Sequence, residues 1–363
     1  MRASLALAGR GLGTVWPNPA VGCVIVRDGT VVGRGWTQPG GRPHAEVVAL
    51  ARAGAAAQGA TAYVSLEPCC HFGRTPPCTE ALIASGIARV VVAARDPDPR
   101  VNGEGLQRLR EAGIAVEDGL LAAEASRLNA GFMLRVGAGR PLVTLKLAST
   151  LDGRIATHAG ESRWISGAGA RRLVQQLRAS HDAVLVGSGT ALADDPALTV
   201  RLPGLLPPGF PGPVRIVADG RLRLPLTSVL VASARAVPTW VLTTKGADPQ
   251  RLAAFTDAGV VVIAVAADTL GQPDPAASLG ALAQRGLTRV LVEGGARIAA
   301  SLLRRNLVDR LAWFHSPLLL GGDGRPAIEA LGLETLAAAP RFVVEGRRQA
   351  GQDQLTLLRR REG

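Results

Sequence analysis

Short apolar runs alternate with helix-type patterns along most of this 363-residue sequence, and this alternation limits the folds open to it. Residues 21–26 and 31–35 flank an Asp-Gly turn signal and predict a β-hairpin. A helix is predicted from His44 to Gly54, because Pro43 just before it is a favoured start. Strand and helix patterns then alternate to about residue 118, which predicts an α/β fold with helices on both faces of a sheet.

A loose segment, RVGAGRP at 135–141, interrupts this alternation with two glycines and a proline. Single hydrophobic cores stop growing at roughly 250 to 300 residues, so a chain of this length is expected to form two domains. We place them at 1–138 and 139–363. In the second domain, strands are predicted in LVTLKLAST, HDAVLVGSGT, VRIVADG, TWVLTT, GVVVIAVA and TRVLVEGG, and helices in AGARRLVQQLRA and ARIAASLLRRNL.

The charge and hydropathy of the chain exclude several classes of protein. The formal net charge is +12, but the arginines are scattered and aromatic residues make up only 3 %, unlike the clustered charge of nucleic-acid binders. No apolar run reaches the roughly 20 residues that span a bilayer. The first residues are too short and glycine-broken for a signal peptide and predict a first helix. We therefore expect a cytoplasmic protein that binds neither nucleic acid nor membrane.

The four cysteines are expected to be reduced in that compartment, which favours metal binding or thiol chemistry over disulfides. His44 and Glu46 precede Cys69 and Cys78, and this order resembles the zinc-deaminase signature, in which the glutamate moves protons without binding metal. The spacing departs from that signature, because Phe72 stands where a CxxC pattern needs its second cysteine. Cys78 would then supply the third ligand across a loop.

A structural zinc site is the alternative, with His44 or His71 joined by Cys69, Cys70 and Cys78, because structural sites use four protein ligands whereas catalytic sites use three. Cys70 is expected to point away from the metal, and Cys23 to lie in the core.

The spacing of His44 and Glu46 constrains the helix that carries them. On an ideal helix the two side chains lie about 200° apart, so they converge only if the helix points end-on at the site. A helix N-terminus also favours nearby negative charge, which suits a carboxylate and an activated water.

Phosphate-binding signals in the second domain are weak. There is no GxGxxG fingerprint of a standard dinucleotide-binding domain. GSGT at 187–190 and EGG at 293–295 each follow a predicted strand, and the second opens a helix whose amides could hold a phosphate. Ordinary tight turns are the alternative reading.

A family resemblance joins these signals. PNPAVGCVIV, PHAE and YVSLEPCCHFGRTPPC closely resemble the deaminase half of the bifunctional riboflavin-biosynthesis deaminase/reductases, and LKLASTLDGRIA, GESRWISG, ADDPALTVR and LVEGGARIAASLL continue that family's order over essentially the whole chain. The resemblance implies a cytidine-deaminase-like α/β/α domain followed by a dihydrofolate-reductase-like α/β domain. It also implies Zn²⁺ and NADPH as cofactors, a phosphoribosylaminopyrimidine substrate, and a homo-oligomer, either a dimer or a tetramer.

The resemblance assigns roles to individual residues. In the deaminase domain, His44, Cys69 and Cys78 would hold zinc, Glu46 would be the catalytic proton shuttle, and Asn18 would contact the pyrimidine. Cys70 and Phe72 depart from the family pattern, in which serine and histidine are usual. In the reductase domain the cofactor residues would be Ala148, Trp164, Thr190, Asp194, Gly295, Ala296, Arg297, Ile298, Ala299, Ala300 and Ser301, and the substrate residues Ser162, Arg178, Leu198, Arg201 and Glu293.

Some roles stay open at this point. Arginine suits the substrate's 5′-phosphate because its planar fork pairs with phosphate oxygens, although a surface salt bridge is an equally simple role for Arg178. Lys146 and Asp152 are polar groups beside a strand end, with or without a direct role. His158, His181 and His315 are expected to be structural.

Two rival functions differ in class from this one. The first is a zinc deaminase of another base with an inactive reductase-like domain, against which the intact DGR, GES and DDPALTVR motifs argue. The second is a zinc-stabilised nucleic-acid module without enzymatic activity, which predicts steeply salt-dependent binding.

Overall fold

The computed structural model describes residues 1–361 and divides the chain into two compact units, Met1–Arg140 and Pro141–Gly363. The helix Ala130–Ala138 closes the first unit, so the predicted break after residue 138 coincides with a helix end. Residues 362 and 363, which close the predicted second domain, lie outside the described range. Between residues 1 and 361, no helix combines the length and the apolar character needed to cross a membrane.

The first unit is built on a five-stranded sheet of order β2-β1-β3-β4-β5. Strand β1 pairs antiparallel with β2 and β3, whereas β3, β4 and β5 are mutually parallel. The strands are β1 Gly22–Arg27, β2 Thr30–Trp36, β3 Thr61–Val64, β4 Arg89–Val92 and β5 Ala115–Asp118. The helices are α1 Arg2–Ala8, α2 Ala45–Ala53, α3 Cys78–Ala84, α4 Glu104–Glu111, α5 Ala122–Leu128 and α6 Ala130–Ala138, with short 3₁₀ turns at Gly9–Gly11, Pro39–Gly41 and Gly54–Ala57.

The predicted hairpin is confirmed as β1 and β2. Asp28 and Gly29 between the strands both have positive φ, 49° and 76°, which is the backbone that a tight two-residue hairpin turn requires.

Two glycines of β2 set the position of helix α2. A side-chain β-carbon on Gly33 would lie 2.3 Å from the carbonyl oxygen of Ala49, and one on Gly35 would lie 2.2 Å from that of Ala45. Because only glycine leaves room for this approach, the helix backbone lies directly on the strand. The first turn of α2, which carries Glu46, is thereby fixed relative to the sheet.

The second unit contains a nine-stranded sheet of order β11-β10-β9-β8-β12-β6-β13-β16-β15. Its strands are β6 Leu142–Thr150, β8 Ala183–Gly187, β9 Val214–Ala218, β10 Thr239–Thr244, β11 Val261–Val265, β12 Arg289–Glu293, β13 Arg310–Ser316, β15 Phe342–Ala350 and β16 Asp353–Arg360, and a separate pair is formed by β7 Arg154–Ala156 and β14 Arg325–Pro326. The helices are α7 Ala168–Ala179, α8 Ser188–Asp194, α9 Val229–Ala232, α10 Pro249–Asp257, α11 Pro275–Gln284 and α12 Ala296–Arg304, with a 3₁₀ turn at Leu336–Ala338.

All neighbouring strands from β11 across to β13 are parallel, so their carboxyl ends share one edge of the sheet. The predicted strands of this unit and helices α7 and α12 are confirmed, although α12 ends at Arg304, earlier than its pattern indicated. The antiparallel pair β15 and β16 was not predicted. Strand β15 lies at the sheet edge and alternates little between buried and exposed residues, so it lacks the periodic signal of a half-buried strand.

Candidate active sites

A compact group of metal-type ligands lies in the first unit. His44, Cys69 and Cys78 each offer one ligand atom, and these atoms all lie within 4.8 Å of one another. The Nδ1 atom of His44 lies 3.3 Å from Sγ of Cys78 and 3.6 Å from Sγ of Cys69. Among residues 1–361 this is the one cluster of three or more such side chains that could hold a metal ion.

The ends of three elements bring these side chains together. His44 is the residue before α2 and has an extended backbone, with φ −71° and ψ 160°, so the helix starts one residue later than predicted. Cys69 follows β3, and Cys78 is the first residue of α3. The backbone N–H of Cys78 donates to Sγ of Cys69 over 3.3 Å, which joins the start of α3 to the loop.

The two thiols of this cluster differ in acidity. A hydrogen bond from the Cys78 thiol is the largest influence on Cys69 and lowers its pKa to about 4. The pKa of Cys78 is raised, first by the same hydrogen bond and then by burial. One thiolate is therefore already favoured at neutral pH, and thiolate is the form of cysteine that binds metal.

Glu46 lies beside the cluster and is 3 % exposed. Burial is the main reason that its pKa rises to about 7, and the neighbouring negative charge of Cys69 raises it further. A carboxyl group with a pKa near neutrality can both accept and release a proton at that pH, which is the requirement for a general acid–base.

The donor set fits zinc. Zinc favours thiolate sulfur and imidazole nitrogen, and a catalytic site keeps one coordination position for water beyond its three protein ligands. Cys70 is absent from the cluster, and its thiol donates to the carbonyl oxygen of Arg100 instead.

Glu67 is a buried carboxylate that sequence analysis did not single out. It accepts hydrogen bonds from the backbone N–H groups of Gly103, Gly105 and Leu106, at the start of α4. Glu67 lies two positions before Cys69, so these bonds tie the ligand loop to a helix terminus, where a negative charge is favourable. The only sequence signal was its place in the LEPCC motif.

Asn18 lies against Gly41, near the start of α2. A β-carbon on Gly41 would lie 1.8 Å from Nδ2 of Asn18, and Gly41 has a φ of +83°, so only glycine is accommodated there. In the loop between Cys69 and Cys78, the buried Nδ1 of His71 has no hydrogen-bond partner among residues 1–361, and Phe72 is 73 % exposed. His71 thus retains a polar atom that a ligand could engage.

The second unit contains a cavity of about 1430 Å³ at the carboxyl edge of its parallel strands. Residues in the second half of β6 and residues that end or follow β8, β9 and β12 line it, as expected for ligand sites of open parallel sheets. Its volume exceeds the roughly 300 to 1,000 Å³ of drug-sized pockets, so it has room for a dinucleotide with a second ligand.

A buried ion pair lies on the cavity wall. Arg178 on α7 donates from Nε to Oε1 of Glu293 over 2.5 Å and from Nη2 to Oε2 over 3.0 Å. Their side chains are only 11 % and 8 % exposed, so Arg178 is not in a surface salt bridge. Lys146 lines the same wall, and its pKa is lowered by burial.

Helix α12 presents its start to the cavity. Gly294 and Gly295, with φ of 94° and 91°, lead into it; the hydroxyl group of Thr190 lies next to both glycines, and its methyl group lies next to Gly294. Backbone N–H groups at the start of this helix can approach a phosphate without side-chain obstruction. Gly295, Ala296, Arg297, Ile298 and Ser301 line the cavity.

Two residues of the segment 295–301, which the family resemblance assigns to the cofactor, do not reach the cavity. Ala299 and Ala300 are 0 % exposed and absent from its wall, because the helix turns these positions toward the protein interior. Their small side chains therefore pack in the core rather than contact a ligand.

The other implied residues of this unit all line the cavity. Trp164 is 69 % exposed, and the guanidinium of Arg171 lies 4.6 Å from its ring centroid. Arg201 is held by its backbone N–H, which donates to Oε1 of Gln175 over 2.7 Å, a contact that sequence analysis missed. The remaining lining residues from the implied set are Ala148, Ser162, Thr190, Asp194 and Leu198.

Three polar residues to which the family resemblance assigns no role make contacts that stabilise the fold. Asp152 accepts the backbone N–H groups of Leu320 and Gly321 and the hydroxyl of Thr150, so it fixes a loop. His181 is buried between the carbonyl oxygen of Leu177 and the hydroxyl of Thr144. His315 stacks on Trp313 with ring centroids 5.4 Å apart.

The fold and the two sites define a two-unit protein with a metal-type ligand cluster beside a buried carboxyl group in one unit and a nucleotide-sized cavity in the other. Residues 1–94 match the family of the cytidine and deoxycytidylate deaminase zinc-binding region, and residues 141–355 match the RibD C-terminal domain.

Relatives with both parts cover nearly the whole chain. The riboflavin biosynthesis protein RibD of Escherichia coli is 45 % identical over 97 % of this chain and 96 % of its own length, and that of Bacillus amyloliquefaciens is 41 % identical over 97 % and 93 %. The chain belongs to the RibD family.

Solved structures agree with this assignment. Acinetobacter baumannii RibD matches with a TM-score of 0.88 and 40 % identity, covering 99 % of this chain and 97 % of that one. A diaminohydroxyphosphoribosylaminopyrimidine deaminase/5-amino-6-(5-phosphoribosylamino)uracil reductase from Thermotoga maritima matches with a TM-score of 0.84 and 35 % identity over 99 % and 97 %. The expected pair of a cytidine-deaminase-like and a reductase domain is confirmed.

Proposed function

We propose that this chain catalyses two successive reactions of riboflavin biosynthesis, one in each unit. The first unit deaminates 2,5-diamino-6-(5-phosphoribosylamino)pyrimidin-4-one. The second reduces the ribosyl group of the product, 5-amino-6-(5-phosphoribosylamino)uracil, to ribityl with NADPH. The observation that carries this proposal is the convergence of His44, Cys69 and Cys78 beside buried Glu46.

In the deaminase, His44, Cys69 and Cys78 would hold the zinc ion. Zinc, when bound, polarises a water molecule and lowers its pKa toward neutrality. The overall reaction replaces a C–NH₂ bond with C=O and releases ammonia. Asn18, held against Gly41, would orient the pyrimidine through its side-chain amide.

Glu46 would carry the proton in this reaction. Its carboxylate takes a proton from the attacking water and gives it to the departing amine, so the group returns to its starting state. Burial raises the pKa of Glu46 to about 7 and makes both transfers accessible at neutral pH.

In the reductase, the chain mainly positions its ligands. NADPH, when bound, supplies a hydride to the sugar carbon, and a proton from solvent completes the reduction. The start of α12 would hold cofactor phosphate through backbone N–H groups, and Trp164, Thr190 and Asp194 would flank the cofactor.

Different substrate residues of the reductase would bind different parts of the substrate. Arg178 is committed to Glu293 and also donates to the carbonyl oxygen of Thr199. Arg201 lines the cavity, and within residues 1–361 its guanidinium forms no hydrogen bond, so we assign it to the 5′-phosphate of the substrate. Ser162, Leu198 and Glu293 would contact the ribose and the base.

The chain would act in the cytoplasm as a homo-oligomer, a dimer or a tetramer, without nucleic acid or membrane. Its four cysteines are free thiols, which suits a reducing compartment. Edge strand β15 exposes Val343 and Val344, which favours self-association. Light scattering on the purified chain would give the oligomeric state.

One assay tests both reactions. The full chain is supplied with the diaminopyrimidine substrate and NADPH, and ammonia release and NADPH oxidation are followed together. Glu46→Gln should lower ammonia release by about 10²- to 10⁴-fold while zinc content is retained. The same variant should oxidise NADPH at the wild-type rate when given the deaminated intermediate.

Other outcomes would favour a rival function. Ammonia release without NADPH oxidation would indicate a deaminase with an inactive second unit. Normal ammonia release by Glu46→Gln would remove this residue from the mechanism. Steeply salt-dependent binding of nucleic acid without either reaction would indicate a zinc-stabilised binding module.

A further inference from the structure

The carboxylate of Glu67 is enclosed by backbone N–H groups of the segment 96–106, which runs from the loop after β4 into α4. Its Oε2 accepts the N–H of Asp96 over 3.3 Å, and its two oxygens accept the N–H of Gly103 over 2.9 and 3.0 Å. Oε1 also accepts the N–H groups of two residues in the first turn of α4, over 3.0 and 3.3 Å. Glu67 therefore holds the two ends of this segment together.

The same segment contacts the residues on both sides of Cys69. On one side, a β-carbon on Gly105 would lie 2.3 Å from the carbonyl oxygen of Pro68, so only glycine lets the start of α4 approach the loop that carries Cys69. On the other side, the thiol of Cys70 donates to the carbonyl oxygen of Arg100 over 3.4 Å. The segment 96–106 thus fixes the backbone immediately before and after Cys69.

The position of Cys69 in turn affects that of Cys78. The carbonyl oxygen of Cys69 accepts the backbone N–H of Thr79 over 3.2 Å, and its Sγ accepts the backbone N–H of Cys78 over 3.3 Å. Both donors lie at the start of α3. Two of the three proposed metal ligands are therefore linked to Glu67 through short backbone contacts.

Capping of α4 alone does not account for a buried carboxylate at this place. Glu104 is exposed in the first turn of α4 and already supplies a negative charge there. The usual cap is a side chain at the residue before the helix, but that residue is Gly103, and Glu67 supplies the acceptor from 36 positions earlier. Burial of a carboxylate is unfavourable unless it is hydrogen-bonded, and here its bonds join two separate segments.

We propose that Glu67 is a positioning residue for the metal centre, which fixes Cys69, and through it Cys78, where both can bind one metal ion. This inference rests on the proposed zinc-dependent deaminase function. Within residues 1–361 the hydrogen bonds of its carboxylate all come from backbone N–H groups, so Glu67 acts through the loop and not on the metal or the substrate. Replacement of residues that support metal ligands in this way commonly lowers metal affinity by about 10- to 100-fold.

The zinc affinity of the full chain tests the inference. Glu67→Gln keeps the size of the side chain but replaces one acceptor oxygen with an NH₂ group that faces backbone donors. Its Kd for zinc, measured by competition with a chelator, should rise by about tenfold or more. Glu104→Gln is the matched control, because it removes the same charge from an exposed side chain at the start of the same helix, and it should keep the wild-type Kd.

Cobalt in place of zinc gives a second measurement that does not depend on activity. The visible absorption of Co²⁺ reports the geometry of its thiolate and imidazole ligands. The spectrum should change in Glu67→Gln and stay at the wild-type form in Glu104→Gln. Urea unfolding of the metal-free chain separates this effect from a loss of stability.

A wild-type Kd for zinc and a wild-type cobalt spectrum in Glu67→Gln would overturn the inference. A less stable metal-free chain with an unchanged Kd would also overturn it, because Glu67 would then serve helix capping alone. If Glu67→Gln does not fold, Glu67→Asp decides the question, since it keeps the charge on a shorter side chain: a raised Kd with normal unfolding supports the inference, and a wild-type Kd overturns it. A wild-type chain that neither binds zinc nor releases ammonia would overturn the proposed deaminase itself.

Discussion

The two units gather their functional side chains over very different spans of sequence. In the first unit, three ligand atoms lie within 4.8 Å and come from residues 44 to 78. In the second, the residues that line one cavity extend from Lys146 to Glu329. A metal centre needs a few convergent atoms, so short loops at element ends can supply it. A dinucleotide needs a long surface, which only the edge of a whole sheet provides.

Polar groups are also stabilised differently in the two units. The metal-type cluster brings two cysteines and an imidazole together, and a bound metal ion would balance the negative charge of the thiolates. Glu46 lies beside the cluster with a pKa of about 7. The cavity instead carries a self-contained ion pair, Arg178 with Glu293. The first unit should therefore depend on its metal, and the second on its internal charge pairing.

Removal of one of the proposed cysteine ligands should produce the largest difference between the activities of the two units. Cys78→Ser should abolish zinc binding and lower ammonia release by about a thousandfold or more. Without zinc, the site loses both the metal that holds its ligands together and the activation of the attacking water. NADPH oxidation with the deaminated intermediate should stay at the wild-type rate. Metal analysis and the two assays check this, and a parallel loss of both activities would show that the sites are not independent.

Loss of the buried ion pair should be the next largest effect. Arg178→Met leaves Glu293 buried without its bidentate partner, and breaking such a pair costs about 3 to 5 kcal/mol. Urea unfolding should show this destabilisation in the second unit, with a fall in NADPH oxidation. The control is Arg95→Met, which removes an exposed pair with Asp118 and should leave stability unchanged. Equal stability of Arg178→Met and the wild type would contradict the prediction.

A smaller effect is expected from His181. Burial lowers its folded-state pKa to about 3, whereas the unfolded chain takes up a proton near its ordinary pKa. As the pH falls below about 6.5, the unfolded state gains protons first, and the unfolding free energy should drop by up to about 1.4 kcal/mol per pH unit.

Urea unfolding at several pH values between neutrality and mild acid measures this slope. His181→Gln should flatten it, and the exposed His158→Gln should retain the wild-type slope. A slope that is the same in all three proteins would assign the acid sensitivity to other groups.

The smallest effect is expected at Cys70. Its thiol donates to the carbonyl oxygen of Arg100 and lies outside the ligand cluster, so Cys70→Ser should preserve zinc content and ammonia release. Metal analysis of both variants compares the zinc content of Cys70→Ser with that of Cys78→Ser directly. A loss of zinc in Cys70→Ser would instead support a structural site with four protein ligands.

The sequence alone predicted the alternating strands and helices, the hairpin at Asp28 and Gly29, and a metal-type group around His44, Cys69 and Cys78, with a four-ligand structural site as the alternative. These features depend on side-chain chemistry and on periodicity over a few residues, which a linear sequence displays directly. The family resemblance added the reductase residues, but it included Ala299 and Ala300, which the structure places in the core.

Only the tertiary structure decided which distant residues meet. Glu67 accepts hydrogen bonds from the start of α4, Arg178 pairs with Glu293, and Arg223 donates to Ser188. Each of these contacts joins separate elements. Antiparallel β15 was missed for a related reason, since its exposure pattern lacks a period of two. Strand order and burial arise from contacts between distant segments, and local sequence patterns do not encode those distances.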